Sequence, residues 1–250
     1  MRGFYCLIPI YLGMISILTL TYKRKDLLEE AIQSYLLQIE GHEDTTEMVI
    51  INDVDGVEYV YNHPNIRIIN LKERFSSVGK KLEWGFKQCK YPWIYRLDDD
   101  DLLSPFALNL LYRRIYEYPN KDILRDVGHY VFTNNKYQGI NGSVNNGNCY
   151  SSNFIKRVGP FIDAQGEDSW LTFDNKADTH TYKELVSTMI YRWGMGVYHI
   201  SGMGDISSKE VNELTDNQSD IEMGTIEIVP NFKNDYWSPI LNDLKEDTTS

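Results

Sequence analysis

The stretch YPWIYRLDDDDLLSP, residues 91–105, places a mostly apolar run directly before four consecutive aspartates. Its first part, Trp93 to Leu97, predicts a β-strand. Four adjacent carboxylates repel one another, and at the end of an apolar strand they are costly unless a cation or an array of donors compensates them. The stretch therefore predicts a strand that ends at a charged functional site. The alternative is a solvated acidic turn before a helix, with Asp101 near the N-terminal dipole of that helix.

Strands and helices alternate along the chain before and after this stretch. The predicted elements are, in order, strand Ile15–Thr21, helix Lys25–Ile39, strands Glu47–Asn52 and Ile66–Leu71, helix Val78–Cys89, strand Trp93–Leu97 and helix Phe106–Tyr116. Ser104 and Pro105 predict an N-cap and a first helical position for the last of these helices. Such alternation predicts an α/β fold with a mostly parallel, Rossmann-like sheet that is flanked by helices.

The composition changes from about Asp126 onward. The stretch NNKYQGINGSVNNGN, residues 134–148, is rich in Gly and Asn and predicts a loop or hairpin. Met189 to Ser201 is again apolar and predicts a strand, and the acidic sequence after Glu210 predicts an adjunct with a mobile tail. A smaller, mixed second part of the fold is therefore expected to begin near Asp126.

Composition limits the class of protein. The chain has 250 residues and a formal charge of −11, so we expect no general nucleic-acid binding. Its three cysteines are odd in number and lack metal-ligand spacing, which argues against a disulfide framework and a structural zinc site. A reducing compartment fits best, and we expect a cytoplasmic protein or one peripheral to a membrane.

The apolar run from Phe4 to Leu20 has two interpretations. It follows Met1 and Arg2 as a short membrane anchor would, but it contains Pro9 and Gly13 and is barely long enough to span a bilayer. We favour a buried parallel strand at Ile15–Thr21, preceded by an extra segment in residues 1–13.

Polar residues follow three of the predicted strands, and ligands of open parallel sheets bind at such ends. Thr21, Tyr22, Lys23 and Arg24 follow the first strand, and Asn52, Asp53 and Asp55 follow the second. Four consecutive aspartates, Asp98 to Asp101, follow the strand Trp93–Leu97. Mg²⁺ takes one or two carboxylates and completes its ligands with water and phosphate oxygens. The pattern predicts a metal-diphosphate site.

Taken in this order, the motifs resemble glycosyltransferase family 2, whose members have the GT-A fold. The resemblance is carried by ISILTLTYKR, EMVIINDVDG and YPWIYRLDDDDLLSP and covers about residues 14–115. Two later pieces, FIDAQGEDSW and YHISG, resemble the family's Glu-Asp acceptor motif and its late histidine. The resemblance implies that residues 14–125 bind the donor, that residues 126–209 bind the acceptor and hold the base, and that residues 210–250 are an adjunct.

The resemblance also implies roles for individual residues. Thr21 and Tyr22 would line the nucleotide base, and Asn52 or Asp53 would accept from it. Asp98 and Asp99 would lie by the ribose and metal, with Asp100 as the direct metal ligand and Asp98 as a second. The remaining implied site residues are His199 as a metal or phosphate contact, Asp168 as general base, its neighbour Glu167, and Lys80 at the nucleotide.

The sequence departs from the family pattern at three places. Leu20 stands where the family has Pro, Asn52 replaces an acidic residue, and SSVGKKLEWGF lacks the usual Ala-Arg-Asn. The basic residue that faces the diphosphate therefore remains open among Arg74, Lys80 and Lys81.

The implied reaction is a hexosyltransferase-like transfer from a nucleotide diphosphate sugar, most commonly a UDP-sugar, to a hydroxyl of a glycan or glycolipid. Mn²⁺ or Mg²⁺ would be the cofactor, and base catalysis by Asp168 would invert the anomeric centre. Asp168 as a helix-capping residue and His199 as a core histidine are the structural alternatives. The functional alternatives are an inactive nucleotide-sugar or carbohydrate binding protein, and a nucleotidyltransferase, although the glycine-rich phosphate loop of the latter is absent.

Overall fold

The computed structural model describes residues 14–142, 147–161, 171, 175–183, 186–193 and 222–247. The strands are β1 (Ile15–Thr21), β2 (Thr46–Asn52), β3 (Val57–Val60), β4 (Ile66–Asn70), β5 (Trp93–Arg96), β6 (Leu102–Leu103), β7 (Ile123–Asp126), β8 (Gly128–Thr133), β9 (Lys136–Gly142), β10 (Cys149–Ser151), β11 (Thr179–Tyr182), β12 (Met189–Trp193) and β13 (Gly224–Glu227). The helices are α1 (Lys25–Leu36), α2 (Val78–Phe86), α3 (Ala107–Glu117), α4 (Ser152–Val158) and α5 (Trp237–Asp247).

A central sheet runs through the described residues in the order β11-β7-β10-β5-β1-β2-β4. β1 pairs in parallel with β2 on one side and with β5 on the other, and β2 pairs in parallel with β4. The exception to the parallel arrangement is β10, which is antiparallel to both β5 and β7. The predicted mostly parallel α/β fold is confirmed.

Helices cover both faces of the central sheet, because the apolar side chains of β1 alternate between them. On one face Ile15 and Ile17 pack in a core with side chains of α1 and α3. On the other face Leu18 and Leu20 pack with side chains of α2 and α4. The predicted burial of the first strand is confirmed, since every residue of β1 is buried.

A second sheet, of order β6-β12-β8-β9, lies beside the carboxyl ends of the central strands. Its β6 follows the aspartates directly, and the second sheet packs against Tyr236, just before α5, and Ile240 of α5. The chain reaches this position through β13, which pairs in parallel with β3. Residues 222–247 therefore contact β3 through β13 and the second sheet through the region of α5. The division of the chain into donor, acceptor and adjunct parts stays a prediction.

Some predicted boundaries differ from the structure. α1 ends at Leu36 rather than Ile39, and α2 ends at Phe86 rather than Cys89. α3 begins at Ala107 without a side-chain cap, so the prediction of Ser104 as its N-cap is wrong. The Ser104 hydroxyl instead donates to the carbonyl of Ser187 at 2.5 Å. A tertiary hydrogen bond has replaced the local one.

The predicted hairpin after Asp126 is formed by β8 and β9, which pair antiparallel. Asn134 and Asn135 form its turn with φ of 48° and 62°. Asparagine tolerates this left-handed region better than most residues, which explains its use at both positions.

No helix in the described part of the chain is both long and apolar enough to cross a membrane.

Candidate active site

The carboxyl ends of β1, β2 and β5 meet at one edge of the central sheet. Thr21 at the end of β1 is in register with Asn52 at the end of β2. On the other side Leu97, directly after β5, donates its backbone N–H to the carbonyl of Leu18 at 3.0 Å. Because β2 and β4 lie on one side of β1 and β5 lies on the other, the strand order reverses at β1. Such a reversal opens a crevice in which α/β proteins bind ligands.

The aspartate quartet, residues 98–101, lies at this crevice and is largely buried. Ligand oxygens of Asp98, Asp100 and Asp101 all lie within 4.8 Å of one another. Asp101 Oδ2 is buried and has no hydrogen-bond partner among the described residues. A buried carboxylate oxygen without a donor fits a hard divalent cation, which prefers oxygen ligands of this kind. The predicted ligands Asp98 and Asp100 are thus brought together, and Asp101 joins them.

Two carboxyl groups of the quartet have raised pKa values. Burial is the main reason that the pKa of Asp99 rises to about 6, against the opposing charge of Arg24. Burial and the charges of Asp100 and Asp98 also raise the pKa of Asp101 well above its usual range. Groups of like charge in a low-dielectric site disfavour further ionisation. The quartet is therefore a place where an added positive charge is favourable.

Arg24 is the main protein cation beside the quartet. Its Nη1 lies 2.8 Å from Asp100 Oδ2, and its Nε donates to Asp99 Oδ2 at 3.1 Å. A further ion pair joins Arg24 Nη2 and Asp99 Oδ1. Burial opposes a charged guanidinium, but the charges of Asp100, Asp99 and Asp98 outweigh it and raise the pKa of Arg24. The sequence placed Arg24 after β1 but predicted no role for it.

Asp98 has a different partner, since Arg96 Nε donates to Asp98 Oδ1 at 3.0 Å. The Asp98 side chain is 19% exposed, more than those of its neighbours Asp99 and Asp100. It is therefore the member of the quartet most open to a ligand in the crevice.

A buried ion pair lies on the opposite side of β1 from the quartet. Lys81 Nζ donates to Asp53 Oδ1 at 2.5 Å and to the carbonyl of Thr21 at 2.7 Å. The backbone N–H of Phe75 donates to the other carboxylate oxygen of Asp53 at 3.1 Å. Burial lowers the pKa of Lys81, and Asp53 partly offsets this effect.

Lys80 points away from these groups. Its Nζ donates to the carbonyl of Phe161 at 2.8 Å and lies 3.5 Å from Glu83. Of the two neighbouring lysines, Lys81 is the one that contacts the ends of the strands. The nucleotide-binding role predicted for Lys80 stays a prediction.

Asn52 is fully buried, and its amide is occupied by protein groups. Its Nδ2 donates to the carbonyl of Val57 and to Asn70 Oδ1, each at 3.0 Å. Its Oδ1 accepts from the backbone N–H of Val54 at 3.2 Å. These contacts indicate that Asn52 shapes the turn after β2. Of the two residues predicted to accept from the base, Asp53 is therefore the better candidate.

Tyr22 lies under the guanidinium of Arg74, whose central carbon is 3.8 Å from the ring centroid. Arg74 is next in sequence to Phe75, whose amide holds Asp53. The two contacts bring an aromatic face, a cation and a carboxylate together beside the end of β1. Such a group of side chains is suited to a planar, polar heterocycle.

The predicted residues Glu167, Asp168 and His199 lie outside the described residues, so their roles stay predictions. Asp101 was missed as a ligand although it stands in the same run of aspartates. Arg192, described below, was missed because no local pattern marks a residue so far along the chain from the quartet.

Comparison with known proteins assigns the family. The model of the family described as Glycosyl transferase family 2 matches residues 16–167, more than half of the chain. The chain belongs to glycosyl transferase family 2. The match extends from β1 to the predicted Glu167 and includes the quartet. Among curated proteins, none matches this family-2 sequence.

Solved structures share the fold of this family-2 chain. TarS 1–349 from S. aureus in complex with UDP-GlcNAc is similar with a TM-score of 0.62 and 15% identity, covering 84% of this chain and 68% of that chain. The mannosyltransferase PcManGT from Pyrobaculum calidifontis in complex with GDP-Man and Mn²⁺ is similar with a TM-score of 0.53 and 14% identity, covering 73% of this chain and 57% of that chain.

Another structure of TarS 1–349 is matched over 72% of this chain with a TM-score of 0.57 and 15% identity. The alignment spans only 60% of that TarS chain. At these identities the likeness concerns the fold, and the predicted GT-A architecture is confirmed.

Proposed function

We propose that this chain is a metal-dependent, inverting glycosyltransferase that moves a sugar from a nucleotide diphosphate sugar to an acceptor hydroxyl. The observation that carries the proposal is the gathering of the Asp98, Asp100 and Asp101 carboxylates within 4.8 Å at the sheet crevice of a family-2 chain. The UDP-GlcNAc complex of TarS and the GDP-Man and Mn²⁺ complex of PcManGT support a nucleotide-sugar donor for this fold.

The quartet is the proposed site for Mn²⁺ or Mg²⁺. Asp100 and Asp98 would hold the ion, and the unpartnered Oδ2 of Asp101 fits a further interaction with it. A divalent ion bound there supplies positive charge against the negative charge that develops on the leaving diphosphate. Arg24 already contacts Asp99 and Asp100, so it is placed to share in that compensation.

The donor nucleotide would lie across the end of β1. Tyr22, with Arg74 over its ring, offers a stacking surface for the base, and Asp53 offers an acceptor beside it. On the other side of β1, Asp98 and Asp99 would lie by the ribose. The base of a UDP-sugar would fit this arrangement, because uracil has an N–H group that donates to a carboxylate.

The chemical step requires one base. Asp168 would accept the proton of the acceptor hydroxyl, whose oxygen forms a bond to the anomeric carbon while the bond to the diphosphate oxygen breaks. The electron pair of that bond leaves with the nucleoside diphosphate, and attack from the opposite face inverts the anomeric centre. Base catalysis of this kind contributes about 10²- to 10⁴-fold in rate. Glu167 adjoins Asp168, and His199 would contact the metal or a phosphate.

Donor turnover by the purified chain tests the proposal. UDP-glucose, UDP-GlcNAc and GDP-mannose would each be incubated with and without Mn²⁺, and release of nucleoside diphosphate would be measured. Turnover should require Mn²⁺. The variant Asp100→Asn should abolish turnover, because it removes a charged ligand of the ion. Asp55→Asn, at an exposed position of the turn after β2, is the matched control and should keep turnover.

The remaining outcomes separate the alternatives. Asp168→Asn should lose turnover while it retains nucleotide binding. Mn²⁺-dependent nucleotide binding without turnover of any donor would favour a binding protein of the same fold. Release of pyrophosphate from a nucleoside triphosphate would favour a nucleotidyltransferase. Absence of both binding and turnover would refute the proposal.

A further inference from the structure

Arg192 on β12 contacts the backbone of the aspartate quartet. Its Nε donates to the carbonyl oxygen of Asp100 at 2.5 Å, and its Nη2 donates to that of Asp99 at 3.4 Å. The backbone N–H of Arg192 also donates to Asp101 Oδ1 at 3.3 Å. A single residue of the second sheet thus binds three consecutive members of the quartet.

The remaining guanidinium nitrogen of Arg192 pairs with Glu30 on α1. Nη1 lies 2.5 Å from Glu30 Oε2, and the two side chains are 0% and 2% exposed. Because desolvating two charges is costly, a buried pair of this kind requires well-placed hydrogen bonds on both partners. The planar, forked guanidinium can serve two carbonyls and a carboxylate at fixed angles, which a lysine ammonium cannot do.

Glu30 in turn is held by the C-terminal segment, residues 222–247. The backbone N–H of Lys233 donates to Glu30 Oε1 at 2.8 Å, and the Tyr236 hydroxyl donates to Oε2 at 3.5 Å. The Tyr236 ring also lies 5.6 Å from the guanidinium of Arg192. Both oxygens of this buried carboxylate therefore have partners. Arg192 on one side and the C-terminal segment on the other hold it in place.

We propose that Arg192 is a positioning residue for the backbone of the quartet, and that Glu30 fixes Arg192 in that role. The carboxylates of the quartet repel one another, so without restraint their peptide units would rotate to separate them. Hydrogen bonds to the carbonyls of Asp99 and Asp100 restrain those units without occupying the carboxylates. The effect of Arg192 on metal affinity rests on the proposed function, whereas its restraint of the backbone does not.

The variant Arg192→Lys tests the role, because it keeps a charge but cannot maintain the forked contacts. Its matched control is Arg114→Lys. Arg114 is equally buried, pairs with Asp126 at 2.6 Å and donates to the carbonyl of Val186, away from the quartet. Both variants lose a buried arginine network, so both are expected to lose unfolding free energy.

The first measurement is amide hydrogen exchange of residues 97–104 in the full chain without metal. Exchange there should be faster in Arg192→Lys than in Arg114→Lys when the two are compared at equal global stability. The second measurement is titration with Mn²⁺ and UDP, in which Arg192→Lys should lose about tenfold or more in affinity and Arg114→Lys should change little.

A second pair of variants covers the case in which Arg192→Lys does not fold. Glu30→Gln removes the charge that fixes Arg192, whereas Glu29→Gln changes the neighbouring buried acid, which accepts from the backbone N–H of Val229 at 2.9 Å. Both changes weaken a hydrogen bond between α1 and the C-terminal segment. Only Glu30→Gln should speed exchange in residues 97–104.

Equal exchange in each variant and its control, at matched stability, would overturn the role of Arg192. Failure of the wild-type chain to bind Mn²⁺ and UDP would instead count against the proposed function. The exchange experiment would still decide the positioning role in that case, since it uses no metal.

Discussion

The Lys81 ammonium lies 2.5 Å from a carboxylate oxygen of Asp53, and the two side chains are only 8% and 3% exposed. The same ammonium donates to the carbonyl of Thr21, so the pair joins α2 to the ends of β1 and β2. Replacing one partner of a buried pair is strongly destabilising, because the other charge is left desolvated and unpaired.

Lys81→Met should lower the free energy of unfolding by about 3 kcal/mol, because Asp53 is left as a buried, uncompensated carboxylate. The double variant Lys81→Met, Asp53→Asn should be less destabilised than the sum of the two single variants, with a coupling of about 1 kcal/mol or more. Urea unfolding of the four proteins measures this coupling. Strict additivity would show that the pair contributes no net interaction.

Arg24→Leu should lower the melting temperature of the metal-free chain and enlarge the rise in melting temperature on addition of Mn²⁺. The reason is that Asp99 and Asp100 lose their main protein cation, so an added ion compensates more charge. Arg113→Leu is the control, since Arg113 is 45% exposed and lies 3.9 Å from Glu117 on α3. A smaller Mn²⁺ response in Arg24→Leu than in the wild type would contradict the expectation.

Ser77→Ala should cost about 1 kcal/mol of unfolding free energy, because Ser77 is the N-cap of α2 and accepts from the backbone N–H of Lys80 at 3.2 Å. Ser77→Asp retains an acceptor and should lose much less. Chemical denaturation of both variants provides the comparison. If alanine and aspartate are equally destabilising, the cap hydrogen bond is not the cause.

The free energy of unfolding should fall as the pH is lowered below about 6.5. In this range His129 is protonated in the unfolded chain but stays neutral in the folded chain. Burial lowers the pKa of His129 from its usual 6.5 to about 4, against the opposing charge of Asp126, and the ring of Tyr191 packs at 5.3 Å. The unfolded chain therefore binds this proton more readily between those values. The contribution of His129 to stability is fully present above the unfolded pKa and is lost as the pH falls towards 4.

Between about pH 7.5 and about pH 5 this linkage amounts to about 2 kcal/mol. His129→Gln should lack it, so the wild type should lose more unfolding free energy than the variant over the same interval. Urea titrations of both proteins at the two pH values measure the difference. If the wild type and the variant lose the same unfolding free energy, the pH dependence comes from the carboxylates and not from His129.

Much of the fold was predictable because its signals are local. β1 was predicted with the same bounds that the structure shows, since a run of buried aliphatic residues needs no partner to be recognised. The starts of α1 and α2 at Lys25 and Val78 were also predicted. The start of α3 was not, because Ser104 finds a partner in Ser187, whose position no local pattern reveals.

The sequence was sufficient to place the aspartate quartet at the end of a strand in a parallel α/β sheet, because strand periodicity and adjacency are properties of neighbouring residues. The charges that compensate the quartet and its surroundings, in contrast, are apparent only in the folded chain. Arg24 reaches Asp100 across 76 positions, and Arg192 reaches Glu30 across 162. Those pairings depend on where helices and sheets pack, and free energy of packing is a property of the whole chain rather than of any stretch of it.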